Sequence, residues 1–190
     1  MSCSDDDLLF FCDIDMQFSS EFFRRLRDNT RKGVAYYPII FSQYDPSHVG
    51  EESDHFKIDL MRGFWRSYGY GMVALYKEDF DKAGGFDVKI IGWGMEDVYL
   101  ASNVISNNIG VMRSVDPELV HVYHDKHCDP DLSPQQLDGC IKEIRFEKKT
   151  FSFDFTLVIY QKNLLKYRQI LERLIFIGSK LIITKLRKFS

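Results

Sequence analysis

The chain has 190 residues, 45% hydrophobic and 15% aromatic, with a formal net charge of -3. That length and apolar content suit one domain, or most of one, with its own core. The charge gives no reason to expect nucleic acid, and no run of about 20 uncharged apolar residues reads as a membrane span.

The first predicted element is Leu8-Leu9-Phe10-Phe11-Cys12-Asp13-Ile14-Asp15. Its apolar run reads as a strand buried on both faces. Alternate side chains on a strand share a face, so a strand that persists to its tip points Asp13 and Asp15 the same way. In open α/β sheets, sites lie beyond the carboxyl ends of such strands. Two carboxylates there make a hard oxygen site suited to Mg²⁺ or Mn²⁺, and such a metal can hold a diphosphate. A strand end and a turn would give the same letters, because one Asp-x-Asp is a weak signal. Some phosphatases also start this way, with the first acid as nucleophile. The Met16-Gln17-Phe18 that follows, instead of small residues, speaks against that chemistry.

Ser19 or Ser20 then caps a helix running through about Arg31, with Phe22, Phe23 and Leu26 on its apolar side and Gly33 after its end. Val34 to Phe41 is β-branched and aromatic and reads as a second strand, with Pro38 marking an edge or irregularity. Ser42 to Asp59 is polar and reads as a long loop, a common home for lids and binding residues. Gly63 to Met72 alternates aromatics with glycines. Glycine admits a ligand or backbone closely and aromatic faces can carry sugar or base rings, although the same aromatics would also pack a core. Val73 to Tyr76 is a strand, and Lys77 to Ala83 a short helix ended by Gly84-Gly85.

Gly92-Trp93-Gly94-Met95 reads as a tight loop, and Glu96-Asp97 opens an amphipathic helix to about Asn107. Acids in a first turn favour the helix dipole, so simple capping explains them. That place would also put a carboxylate at the rim of a glycine-lined cleft, where it can take a proton from a hydroxyl. Ile109 to Met112 and Leu119 to Val122 read as short strands. The second leads into His121, His124 and His127, a spacing that predicts one or two metal ligands. Ser133-Pro134 starts a helix to about Lys149.

From Phe151 the character changes. Phe151 to Ile159 is β-like, and Lys162 to Leu186 reads as a basic amphipathic helix interrupted at Gly178-Ser179. Its charge reads as a solvated face, or as contact with an anionic polymer or membrane. Of the four cysteines, Cys3, Cys12, Cys128 and Cys140, the last two flank a short polar loop and can pair or remain thiols. No Cys-x-x-Cys is present, against a zinc knuckle. Met1-Ser2-Cys3-Ser4-Asp5 is polar and acidic, unlike a secretory leader.

Taken together, these pieces resemble the C-terminal catalytic region of the chondroitin synthases and chondroitin N-acetylgalactosaminyltransferases, a family similar to the β1,4-galactosyltransferases. The resemblance runs from about Leu8 to Glu147. It rests on Phe10-Phe11-Cys12-Asp13-Ile14-Asp15, Tyr37 to Pro46, Gly63-Phe64-Trp65-Arg66, Tyr68-Gly69-Tyr70-Gly71 and Gly84-Gly85-Phe86-Asp87. It continues through Gly92 to Asp97, Val120 to His124 and Cys128-Asp129-Pro130. It implies an α/β, GT-A-like nucleotide-diphospho-sugar transferase fold, with an N-terminally incomplete mixed sheet and flanking helices. The domain would cover 1–149, and 150–190 would be a basic, partly helical tail that does not match the family.

The resemblance also implies Mn²⁺-dependent, inverting transfer of N-acetylgalactosamine from UDP-GalNAc to glucuronate-terminated chondroitin, in the Golgi membrane on the lumenal side. By motif, Asp15 is a metal ligand and His124, with His121, completes the site. Asp13 contacts donor or metal. Asp97 is the general base and Glu96 an acceptor contact. Trp93, Gly71 and Gly94 line the donor and acceptor pocket, and Tyr68 sits beside the donor sugar. Relatives of this kind carry uridine-binding strands and a membrane anchor before the Asp-x-Asp strand. The chain is therefore expected to be a fragment. An alternative expectation is an inactive partner subunit that supports a complete synthase.

Overall fold

The computed structural model describes residues 4–50, 54 and 56–150. Contacts divide the chain after Phe151, and all described residues belong to the unit before that point. The expected strand over 151–159 and basic helix over 162–186 lie outside the described residues.

In chain order the elements are β1 (Leu8–Phe11), β2 (Met16–Phe18), α1 (Ser20–Asn29), β3 (Val34–Tyr36), β4 (Ile39–Gln43) and α2 (Pro46–Val49). They continue with β5 (Gly63–Arg66), β6 (Val73–Tyr76), α3 (Lys77–Lys82), α4 (Glu96–Ser106), β7 (Gly110–Met112) and β8 (Val115–His121). A last helix, α5, covers 134–150. The strands form two four-stranded sheets, ordered β1-β6-β3-β7 and β2-β8-β4-β5. Both sheets are mixed: β3–β7 and β4–β8 are parallel pairs, and the other pairs are antiparallel. This is a mixed α/β architecture, as the resemblance implied, with two sheets among the described residues where one was expected.

Between Ser19 and β5, three expectations need correction. The strand expected over Val34 to Phe41 is two strands, one in each sheet. Pro38 has no N–H to give to a ladder, so pairing breaks there. On either side of it, Tyr37 donates to the Met112 carbonyl at 2.9 Å and Ile39 to the Ser114 carbonyl at 2.8 Å. The helix expected to reach Arg31 ends at Asn29, because Thr30 turns extended and its hydroxyl donates to the Leu26 carbonyl at 2.7 Å. The loop expected over Ser42 to Asp59 begins with the end of β4 and contains α2, whose first turn is capped by Asp45 accepting from the Ser47 N–H at 2.8 Å.

Two apolar clusters hold the unit together. Ala35, Tyr37, Val73 and Leu75 of the first sheet region pack with Leu100, Ala101 and Val104 of α4. Met16, Ile40 and Leu119 pack with Phe22 and Leu26 of α1. Burying one such large apolar side chain contributes about 1.5–3 kcal/mol. The α1 register follows from sequence: Phe22 and Leu26 recur at helical spacing, and Ser19 caps by accepting the Glu21 N–H at 3.2 Å. The same helix sends Arg25 to the fully buried Asp116, with N–O distances of 2.7 and 3.1 Å, and to Glu118 at 3.1 Å.

Helix α5 is fastened at both ends of its described length. It opens with a capping box: Ser133 Oγ accepts from the Gln136 N–H at 3.4 Å, and Gln136 Oε1 accepts from the Ser133 N–H at 3.2 Å. Cys128 and Cys140 form a disulfide, which settles the pairing the sequence left open. Further along, Glu143 accepts from Arg66 at 2.6 Å and Lys126 at 3.3 Å, and Glu147 accepts from the same two cations. Burial raises the Glu143 pKa, but the nearby charges of Lys126 and Arg66 outweigh it and hold the carboxyl below its ordinary 4.5.

Two outcomes are expected. Arg25→Ala leaves the buried Asp116 charge unmatched and should lower unfolding free energy by about 3 kcal/mol, read from urea denaturation. A depressed carboxyl pKa gives stability that is present above the unfolded value and lost as pH falls through the folded one. The urea midpoint of the native sequence should therefore fall on acidification below pH 4.5. In Glu143→Gln that fall should be smaller, starting from a lower midpoint at neutral pH.

Candidate active site

Strand pairing assembles the first half of the site. In β2–β8 the register sets Met16 opposite His121, so Asp15 comes beside the end of β8. The Asp15 carbonyl accepts the Val122 N–H at 3.0 Å and closes that junction. The strand-tip argument for the two acids needs correction. Strand β1 stops at Phe11, and Asp13 and Asp15 occupy the turn between β1 and β2. Among the described residues β1 is also an edge strand paired with β6, and its side chains are half-buried, so it is not a strand buried on both faces.

Asp15, His121 and His124 offer ligand atoms that all lie within 4.8 Å of one another. His124 Nε2 is 2.8 Å and His121 Nε2 3.4 Å from Asp15 Oδ2. His124 Nδ1 faces the Asp125 carbonyl at 3.1 Å, an oxygen that can only accept. That bond puts the His124 proton on Nδ1 and aims the Nε2 lone pair at a carboxylate oxygen. Two lone pairs at that distance need a cation between them, either a proton or a metal ion. Asp15 Oδ1 is buried with no partner among the described residues, a second vacant acceptor in the same place. His121 is buried; that burial, with the nearby Arg66 and Lys126 charges, pushes its pKa down to about 4 against the opposing pull of Asp15. It is thus a neutral imidazole at neutral pH, the form that binds metals. One carboxylate and two imidazoles fit a first-row divalent cation such as Mn²⁺. His127 lines the same cavity but stays outside the cluster.

The second half comes from the segment before α4. Gly92, Gly94 and Met95 all take positive φ, at 87, 88 and 83°. The first two are glycines, which adopt this freely; for Met95 it is strained by about 1–3 kcal/mol. The segment is pinned to α5, where Gln136 Nε2 donates to the Ile91 carbonyl at 3.0 Å. A Cβ at Gly92 would stand 2.8 Å from Leu132 Cδ2, so any larger residue would have to push that side chain aside as well as adopt a positive φ. Asp97 then sits in the first turn of α4, with Oδ1 accepting its neighbour Val98 N–H at 2.8 Å and Oδ2 accepting the Tyr70 N–H at 3.4 Å. Each oxygen keeps a further lone pair. Glu96 Oε2 is buried without a partner among the described residues.

A cavity of about 1030 Å³ joins these groups. Asp13, Asp15, His121 and His124 line it, and so do Tyr68, Gly71 and the segment Trp93, Gly94, Glu96 and Asp97. All ten residues singled out from the sequence therefore face one space. Asp13 is exposed at its surface, and a Cβ on Gly71 would lie 3.4 Å from its Oδ2. Partial desolvation raises the Asp13 pKa, and the Asp15 and Asp97 charges add to it. Tyr68 holds its ring edge-on to Phe146 at 4.5 Å and under the Arg66 guanidinium at 5.5 Å. Burial pushes its hydroxyl pKa up, against the pull of Arg66, so it stays a protonated donor.

The same cavity is lined by Arg66, Lys126, Glu143 and Gln136, which the sequence reading left without roles. A charged residue inside the aromatic run 63–72 was the available signal for Arg66. Nothing local marked Glu143 or Gln136, which reach the cavity only through the way α5 packs.

The comparisons with known proteins cover the same stretch of chain. The family described as chondroitin N-acetylgalactosaminyltransferase matches residues 1–147, a span that contains every residue above. Chondroitin sulfate synthase 3 of Homo sapiens is 48% identical over 141 residues, covering 72% of this chain and 16% of that protein. Its Mus musculus namesake is 49% identical over 142 residues, with the same shares of 72% and 16%. Chondroitin sulfate N-acetylgalactosaminyltransferase 1 of Mus musculus is 41% identical over 143 residues, covering 71% of this chain and 27% of that protein. The chain thus spans well under a third of the curated relatives it matches. A match that takes in both sheets, the three-residue cluster and the glycine-flanked Trp93 makes this chain a member of the chondroitin N-acetylgalactosaminyltransferase family.

Proposed function

We propose that this chain is the catalytic portion of a GT-A-type inverting glycosyltransferase of chondroitin synthesis. It would move N-acetylgalactosamine from UDP-GalNAc to a glucuronate-terminated chain. The observation that carries the reading is one cavity holding both the Asp15–His121–His124 cluster and Asp97. The names of the relatives supply the sugar and the polymer.

Asp15, His121 and His124 would hold the divalent cation, Mn²⁺ by preference. When bound, it offsets the negative charge that builds on a departing diphosphate. Asp97 takes the proton from the acceptor hydroxyl as that oxygen attacks the anomeric carbon. Its backbone partners fix the carboxylate while leaving lone pairs for the hydroxyl. Glu96 brings an unpaired oxygen for a second acceptor hydroxyl. Trp93, half exposed on the cavity wall, offers an indole face for a sugar ring. The Tyr68 hydroxyl has no partner among the described residues and is a ready donor to the transferred sugar. Asp13, beside Gly71, contacts the donor or the cation.

A Golgi lumenal setting is part of the proposal. The Cys128–Cys140 disulfide supports it, since such bonds persist in oxidising compartments. Among the described residues no helix is long and apolar enough to cross a membrane. The competing reading is a non-catalytic subunit that pairs with a complete synthase.

Transfer from UDP-GalNAc with Mn²⁺, measured on the full chain, separates the two. Asp97→Asn should lower transfer by about 10²–10⁴-fold while UDP binding is kept. Transfer at the native rate in that variant would remove Asp97 from the role of base. Asp15→Ala should abolish Mn²⁺ binding, read by electron paramagnetic resonance of the free ion. Turnover with UDP-glucuronate instead of UDP-GalNAc would reassign the donor.

A further inference from the structure

Ser42 lies on β4, opposite His121 of β8 on one side and Phe64 of β5 on the other. It is 1% exposed, a hydroxyl inside a strand whose neighbours Ile40 and Phe41 are core. Its Oγ stands 3.0 Å from His121 Nδ1 and accepts from Arg66 Nη2 at 3.2 Å. The guanidinium can only donate. One lone pair of the hydroxyl is therefore taken, and one lone pair and one proton remain for His121.

That remainder suits an imidazole that changes tautomer. Without a cation, neutral His121 can direct an Nε2–H toward Asp15 Oδ2, 3.4 Å away, and Nδ1 is then a bare acceptor. The Ser42 hydroxyl donates to it. With Nε2 ligating a cation, the proton sits on Nδ1, and the same hydroxyl rotates and accepts. His124 is built differently: the carbonyl behind its Nδ1 can only accept, so its tautomer is fixed in advance. Arg66 keeps the hydroxyl in place because it is itself clamped by Glu143 and Glu147 and only 11% exposed.

We propose that Ser42, oriented by Arg66, is a positioning residue that holds the His121 ring in both tautomers and, by accepting from Nδ1–H, presents the Nε2 lone pair when a cation binds. This rests on the metal reading above and deepens it. Outer partners of this kind are worth about 10–100-fold in metal affinity.

The test uses the full 190-residue chain and Mn²⁺ alone, titrated by electron paramagnetic resonance. Ser42→Ala should weaken Mn²⁺ binding by about 10–100-fold, and Ser42→Thr, which keeps the hydroxyl, should restore most of it. ¹⁵N spectra of the native chain supply a readout that needs no variant. Adding diamagnetic Zn²⁺ should move the His121 proton from Nε2 to Nδ1 and leave His124 protonated at Nδ1. Native-like Mn²⁺ affinity in Ser42→Ala, with Asp15→Ala inactive in binding, overturns the Ser42 role and leaves the metal site standing. An unchanged His121 tautomer on Zn²⁺ loading does the same. Failure of the native chain to bind Mn²⁺ overturns both.

Discussion

The site depends on how β8 is paired. Strand β2 runs antiparallel along one edge of β8 and β4 runs parallel along the other. His121, the last residue of β8, is thereby flanked by Asp15 on one side and Ser42 on the other. A slip of one residue in either pairing would turn the imidazole to the opposite face of the sheet. The buried Asp116 and its Arg25 partner guard against such a slip, because β8 can move only by stripping a buried carboxylate of its cation.

Helix α5 closes the site from another direction. Arg66 and Lys126 bring two positive charges to Glu143 and Glu147, so the cluster is neutral as a whole and makes no anion trap of its own. Its effect is mechanical and electrostatic. It holds Arg66 against Ser42 and Tyr68, and the two cations favour neutral His121. The disulfide ties the start of the same helix to the strand-to-helix connection that carries His124. The groups that would grip a cation and the helix that supports them thus form one connected structure.

The segment 92–97 shows the opposite economy. Gly92 makes room for a close approach to Leu132, and Met95 adopts a backbone conformation that costs a side-chain-bearing residue free energy. The strain stands immediately before Glu96 and Asp97, where the chain must turn sharply into α4. Backbone N–H groups then hold Asp97, which leaves the carboxylate fixed in direction and still open to a ligand.

Much of this was readable in the residues themselves. Spacing gave α1 its buried face through Phe22 and Leu26, Ser133-Pro134 announced α5, and glycines marked the turn before α4. The acids at 13 and 15, the histidines at 121 and 124 and the acids at 96 and 97 were marked by local spacing that plain turns and caps would also explain, and the family resemblance gave them their roles. These are local signals, set by rotation per residue and by backbone freedom. What the letters did not hold was pairing. That Val34 to Phe41 splits between two sheets, that Ser42 meets His121, and that Glu143 reaches Arg66 are contacts between segments far apart in the chain. Such contacts are chosen by the packing of the whole unit, because a hydroxyl or a carboxylate has the same short-range preferences whichever distant partner it finally meets.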